Sequence, residues 1–156
     1  MNFVTRLLTR SIPKISEARA SDAAAIAAIH AVSFQRGWSE DEFLRLTADR
    51  SVVAHRATVG GTLIGFILSR ITGDEAEILS VAVAPRWRGR ACARALLDLH
   101  LRRLAGLGAR AVFLEVGENN TPACRLYRRA GFYEVGRRQG YYDGSTTALV
   151  LRRDLG

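Results

Sequence analysis

Residues 75–97 read EAEILSVAVAPRWRGRACARALL, and the fold turns on how this stretch is parsed. Its apolar run, Ile78 to Ala84, carries Val81 and Val83, suits a strand and is too short for a typical helix. Pro85 ends the run. Arg86, Arg88, Gly89 and Arg90 follow, and from Ala91 a helical pattern puts Ala93, Leu97, Leu101 and Leu104 on one face. A strand that passes through a small-residue, arginine-rich turn into a helix points several unpaired backbone N–H groups and the positive end of a helix dipole at one place. An anion can sit there, and phosphate is the natural guest. Neither G-x-G-x-x-G nor G-x-x-x-x-G-K-[ST] is present, so no dinucleotide or P-loop fingerprint accounts for the turn.

Upstream of this stretch the periodicity predicts a strand near Ile15 to Arg19. A helix capped by Ser21 or Asp22 follows, with Ile26, Ile29, His30 and Phe34 on its apolar side. Ser39 with Glu42 three residues on reads as a capping box opening a second helix that buries Phe43, Leu44 and Leu46. Val52 to Val59 and Leu63 to Ile71 flank Gly60-Gly61 and read as a β-hairpin. Downstream, Ala111 to Val116 is an apolar strand, Gly117 to Asn120 a loop, and Thr121-Pro122 a helix start with Asn120 or Thr121 as cap. Gly131 ends that helix, and Phe132 to Arg138 and Ala148 to Leu151 supply two last strands around Gly140 to Gly144. The order β-α-α-β-β-β-α-β-α-β-β, antiparallel first and with crossovers later, specifies a mixed α/β sheet.

The length of 156 residues suits one domain, here 14–156, preceded by an N-terminal extension at 1–13 with no secretory h-region. No apolar run approaches the roughly 20 residues that cross a bilayer. The net charge of +8 is carried almost wholly by arginine, Lys14 being the single lysine. Such an excess suits a polyanion such as CoA, RNA or lipid head groups, and equally an arginine-rich codon usage. Cys92 and Cys124 lie in no C-x-x-C pair and no zinc spacing, so no metal is expected and both read as buried thiols. Cys92 stands at a helix start, where a thiolate is favoured. His30, His55 and His100 show no spacing that would make either cysteine a nucleophile.

Glu115 interrupts the run Val112, Phe113, Leu114, Val116 near a strand end. It reads either as a carboxyl raised by desolvation toward the range of a general base, or as a strand-end charge in solvent. Tyr127 shares a helix face with Ala123 and Ala130, as a core residue or a catalytic phenol.

The turn Arg88-Gly89-Arg90-Ala91-Cys92-Ala93 resembles the [QR]-x-x-G-x-[GA] acetyl-CoA loop of the GNAT acetyltransferase superfamily, with Ala91 in place of the central glycine. A negative φ at Ala91 would keep its N–H accessible. The segment FLEVGENNTPACRLYRRAGF, residues 113–132, is similar to the corresponding part of RimI-type ribosomal-protein alanine N-acetyltransferases. So are FQRGWSE at 34–40, Ala76 to Pro85, and RRQGYY at 137–142. The resemblance spans residues 15–153 and implies a GNAT-like, mostly antiparallel twisted sheet flanked by helices. Before the last strand the chain departs from the family pattern, with Ser145-Thr146-Thr147 where an acidic pair is usual.

The resemblance further implies acetyl transfer from acetyl-CoA, with CoA as product, to a protein N-terminal amine, chiefly the N-terminal alanine of a small-subunit ribosomal protein. Glu115 would be the base. Tyr127 would donate a proton to the departing thiolate. Cofactor binding falls to Val81, Ala82, Val83, Arg88, Gly89, Arg90, Ala91, Cys92, Ala93, Arg94, Asn120 and Tyr127, with backbone donors around Val81 to Val83 for the oxyanion. Trp38, Ser39, Tyr141 and Tyr142 would flank the acceptor. Such an enzyme requires neither nucleic acid nor membrane and is expected in the cytoplasm as a monomer or weak dimer. Two other readings remain open at this point: a GNAT acting on a small amine or aminoacyl-tRNA, and a non-catalytic acyl-CoA or RNA binding module.

Overall fold

The computed structural model describes residues 12–89, 91–142 and 146–156, so most of the 1–13 extension lies outside the described residues. The strands are β1 Lys14–Glu17, β2 Val52–Val59, β3 Thr62–Thr72, β4 Glu75–Val83, β5 Ala111–Gly117, β6 Tyr133–Tyr142 and β7 Thr146–Asp154. The helices are α1 Ala23–Ser33, α2 Glu40–Ala48, α3 Cys92–Gly106 and α4 Thr121–Arg129, with 3-10 turns at Ala20–Asp22 and Pro85–Trp87. All eleven expected elements are present in the expected order, and β4, β6 and β7 extend beyond their apolar runs. The strands form one sheet in the order β1-β2-β3-β4-β5-β7-β6, antiparallel throughout except for β4 beside β5. No helix among the described residues is long and apolar enough to cross a membrane.

Local chemistry accounts for the turns. Gly60 and Gly61 both have positive φ, 58° and 82°, as a two-residue hairpin turn requires, and Val59 pairs with Thr62 across it. The helices then divide between the two faces of the sheet. On one, Leu96, Leu97, Leu101 and Leu104 of α3 and Cys124 and Tyr127 of α4 pack on Val112, Leu114 and Val116 of β5. On the other, Ile26 and Ile29 of α1 and Phe43 of α2 pack on Phe66 and Leu68 of β3 and Ala82 of β4. Burying side chains of this size stabilises by about 1.5–3 kcal/mol each. Gly65 leaves room for α3 on the sheet: a Cβ there would lie 3.1 Å from Leu96 Cδ1 and 3.2 Å from the Ala82 carbonyl oxygen.

Several local expectations are corrected. No side chain caps α1; the Asp22 carboxylate instead accepts from the Arg19 N–H at 2.7 Å and pairs with Arg56 at 2.7 Å. Phe34 and Leu44 are exposed, because Phe34 falls after the last turn of α1 and Leu44 on the outer face of α2. The short amphipathic repeats could not separate these positions from their buried neighbours Ile29 and Phe43.

The sheet has one weak seam. β4 and β5 pair only at Glu75–Ala111, Ala76–Val112 and Glu77–Phe113. Beyond that point β5 continues along β7 as far as Gly117–Ala148, whereas β4 continues along β3 as far as Gly65–Val83. A register shift in the β3–β4 ladder makes Leu79 an extra residue, and such a bulge bends the strand that carries it. Each strand follows its outer partner, and a wedge opens between them toward their C-terminal ends.

Candidate active site

In an antiparallel ladder, alternate residues exchange hydrogen bonds with the partner strand and the others turn their N–H and C=O groups the opposite way. The Ala84 N–H donates to Ile64 at 2.7 Å, which sets the phase: Ala82 and Ser80 bond toward β3, whereas Val81 and Val83 turn toward the wedge. The expected stretch Val81 to Val83 thus divides by the direction of its backbone groups. Ala82 has its backbone committed to Phe66, and Val81 and the N–H of Val83 face the wedge.

Both α3 and α4 begin at the open end of the wedge, since each follows one of its two strands. In open α/β sheets ligands gather beyond the carboxyl ends of such strands. The first intrahelical bond of α3 runs from the Ala95 N–H to the Ala91 carbonyl at 3.1 Å, leaving the N–H groups of Cys92, Ala93 and Arg94 without an intrahelical acceptor. Ala91, the N-cap, has no side chain with which to satisfy them.

Ala91 has φ +60° and Gly89 φ +74°. The condition of a negative φ at Ala91 is not met: the residue is left-handed, a conformation that costs alanine about 1–2 kcal/mol. Arg90 lies outside the described residues. Arg88 is also not the free cation its motif suggests. Its Nε donates to the Val83 carbonyl at 3.1 Å and its guanidinium to Ser33 Oγ at 3.0 Å, so it ties the end of β4 to the end of α1. The Arg94 side chain turns to Asp98 at 2.9 Å. What converges on the turn is thus mainly backbone. The Cys92 thiol is buried, and burial raises its pKa, so the helix start yields no thiolate.

Glu115 and Tyr127 lie on opposite sides of the sheet. Val112, Leu114 and Val116 face α3 and α4, so Glu115, one residue out of phase, faces the α1–α2 side. Its carboxylate is about a quarter exposed and pairs with Arg138 of β6 at 3.2 Å, reaching across β7. It is neither an isolated buried acid nor a charge loose in solvent. Tyr127 is 6% exposed and stacks edge-on against Phe132 with ring centroids 5.7 Å apart. Burial, with a smaller contribution from Cys124, drives the phenol pKa well above its ordinary value, so it keeps its proton throughout the neutral range.

Asn120 caps α4, its side-chain oxygen accepting the Ala123 N–H at 3.3 Å, which leaves the NH₂ end to donate outward. Ser39 is likewise occupied: it accepts from the Glu42 N–H at 3.2 Å and donates to the Glu42 carboxylate at 3.3 Å, so its role is the cap of α2. Trp38 is half-buried and packs with Phe43 on the α1–α2 face. Tyr141 and Tyr142 extend β6, Tyr142 pairing with Thr146; their side chains lie outside the described residues. Among the described residues no His, Cys, Asp and Glu cluster could hold a metal.

The histidines form contacts that sequence spacing did not suggest. His55 and His100 meet at 2.7 Å between their Nδ1 atoms, and Ser69 Oγ lies 2.7 Å from His100 Nε2, in a fully buried chain under α3. Burial and the neighbouring imidazole hold His100 down to about 3. The only sequence signal was a histidine at a core-facing position of each element.

Comparison with known proteins gives one consistent result. The model of the Acetyltransferase (GNAT) family matches residues 22–132. A [Ribosomal protein bS18]-alanine N-acetyltransferase of Escherichia coli K12 is 31% identical over 117 residues, 73% of this chain and 78% of that protein. The N-alpha-acetyltransferase RimI of Mycobacterium tuberculosis is 39% identical over 105 residues, 64% of this chain and 65% of that one. Among solved structures, the ribosomal-protein-S18-alanine N-acetyltransferase from Escherichia coli superposes with a TM-score of 0.87 at 27% identity, covering 93% of this chain and 95% of that one.

Proposed function

The chain belongs to the GNAT acetyltransferase family, and from that premise we propose that it transfers the acetyl group of acetyl-CoA to the N-terminal α-amine of a protein, with the N-terminal alanine of a small-subunit ribosomal protein as acceptor. The observation that carries the reading is the β4–β5 wedge. It interrupts the sheet between a face holding the uncapped start of α3 and the protonated Tyr127, and a face holding Glu115 and Trp38. A donor and an acceptor entering from opposite faces would meet in it. The likeness to ribosomal-protein alanine acetyltransferases adds the acceptor class.

Acetyl-CoA supplies a thioester, whose carbonyl an amine can attack and whose thiolate can leave. The N–H groups of Cys92, Ala93 and Arg94 and the positive end of α3 suit its pyrophosphate, and the turn at Gly89 and Ala91 aims them. The Val81 backbone and the Val83 N–H suit the amides of its pantetheine arm and provide N–H donors for charge gathering on the acyl oxygen. Asn120 keeps an amide N–H for the same arm. An α-amine with a pKa of about 7.7–8.0 is mostly protonated at neutral pH, so Glu115 accepts its proton, directly or through water. Tyr127 faces a thiol of reference pKa near 8.5. Since burial raises the phenol further above that thiol, Tyr127 keeps its proton and stabilises the leaving sulfur by a hydrogen bond, so the sulfur departs as the thiolate. A cytoplasmic workplace follows from a ribosomal-protein acceptor.

Incubation with acetyl-CoA and an alanine-led peptide tests the reading. One CoA released per peptide, with the acetyl group on the α-nitrogen by mass spectrometry, supports it. Release with a small amine or aminoacyl-tRNA but not with the peptide overturns the acceptor class, and CoA binding without any turnover overturns the enzyme.

A further inference from the structure

His30 lies in the last turn of α1 and is 3% exposed. Its ring stacks on Phe34 at 4.3 Å and on Trp38 at 4.8 Å, with Phe43 edge-on at 5.5 Å and Phe66 behind at 6.4 Å. Its Nδ1 accepts the backbone N–H of Trp38 at 3.0 Å, so Nδ1 carries no proton and a neutral ring carries its hydrogen on Nε2. The imidazole thus holds the α1–α2 loop twice, through the main chain of Trp38 and through its indole. A hydrocarbon side chain could fill the same space but could not accept the N–H. Trp38 is only half-buried, so its outer surface remains on the α1–α2 face of the sheet.

We infer that His30 is a positioning residue for the acceptor: it fixes Trp38 as a flat wall of the acceptor cleft and thereby limits the first side chain of the incoming peptide to a small one. This rests on the peptide-acceptor reading above. His30 touches no reacting atom, so its influence falls on acceptor affinity and selection. The neutral ring it requires is consistent with its surroundings. Phe34, Trp38, Phe43 and Phe66 enclose it, and the charged group that acts on it is Glu42 of α2, whose pull toward the protonated form is weaker than the effect of burial.

The test compares His30→Ala with His30→Asn, whose side-chain oxygen can accept the Trp38 N–H in place of Nδ1. His30→Ala is expected to raise the peptide KM about tenfold and to cut the preference for alanine-led over leucine-led peptides by a similar factor, with the acetyl-CoA KM unchanged. His30→Asn should recover most of both. Equal effects of the two variants, or a peptide KM unmoved in His30→Ala, would overturn the inference. A second readout does not need turnover. In a Trp87→Phe background Trp38 is the remaining tryptophan, and His30→Ala should shift its emission to the red and open it to acrylamide quenching, while His30→Asn should not. Should the wild-type protein acetylate no peptide, the acceptor reading fails by itself, and unaltered Trp38 emission in His30→Ala would separately reject the clamp.

Discussion

Two helices on opposite faces of the sheet, α2 and α3, start differently. At the start of α2 the Ser39 hydroxyl accepts from the Glu42 N–H, and the Glu42 carboxylate accepts from the Ser39 N–H in return. On the opposite face, α3 begins at Ala91, whose side chain can satisfy nothing, and the N–H groups of its first three residues find no intrahelical acceptor among the described residues. A good cap is worth about 1 kcal/mol. On the function proposed above, the cap is left out where the chain has also opened a strand edge so that the donors serve a guest, whereas the capping box of α2 serves the fold.

The predictions below probe this contrast, beginning with the largest effect. The α1–α2 face buries His30 and the α3 face buries His55 and His100, and of these His100 is held down to about 3. The folded-state pKa of His100 lies below its ordinary 6.5, so its contribution is fully present above pH 6.5 and is lost as pH falls toward 3. By pH 4 the loss should be on the order of 3 kcal/mol, read from urea midpoints, and His100→Gln should flatten the slope. A parallel slope in that variant would place the acid sensitivity elsewhere. Next in size are Glu115→Gln and Tyr127→Phe, each expected to lower kcat by roughly a hundredfold with CoA affinity nearly intact. An unchanged rate in both would remove chemistry from the wedge. Ala91→Asp sets a negative charge among the N–H donors at the start of α3 and should weaken CoA about thirtyfold by calorimetric titration, with the melting temperature unchanged or raised. Ser39→Ala is the mirror case: a loss of about 1 kcal/mol and 2–4 °C in melting temperature, with CoA affinity unmoved. Smallest is Ala91→Gly. Relieving the positive φ should leave CoA binding unchanged or slightly tighter, and a marked loss would reject the assignment of the turn.

The chain declared its elements more openly than its seam. Gly60-Gly61, Pro85, Pro122 and Gly131 punctuate the sequence by local backbone chemistry, and the elements fall where they indicate. The capping box at Ser39 was readable because both of its partners lie within one turn. The wedge was not, because it depends on how far β4 follows β3 and β5 follows β7, and that competition has no local signature. Arg88 illustrates the same limit. Its motif implied an anion, but its partners Val83 and Ser33 are brought to it by the fold. The pairs His55–His100 and His30–Trp38 join positions 45 and 8 residues apart in patterns that no periodicity displays. Glu115 was placed correctly on its strand, while its ion pair with Arg138 depended on the unread order of β5, β7 and β6.

Amide hydrogen exchange with and without CoA tests the central claim most directly. CoA should slow exchange at Val81, Val83, Cys92, Ala93 and Arg94, the free donors of the wedge and of α3, and leave Ala82 and the capped start of α2 at Glu40 to Glu42 unchanged. Protection at α2 with none at α3, or no protection along β4, would contradict the account.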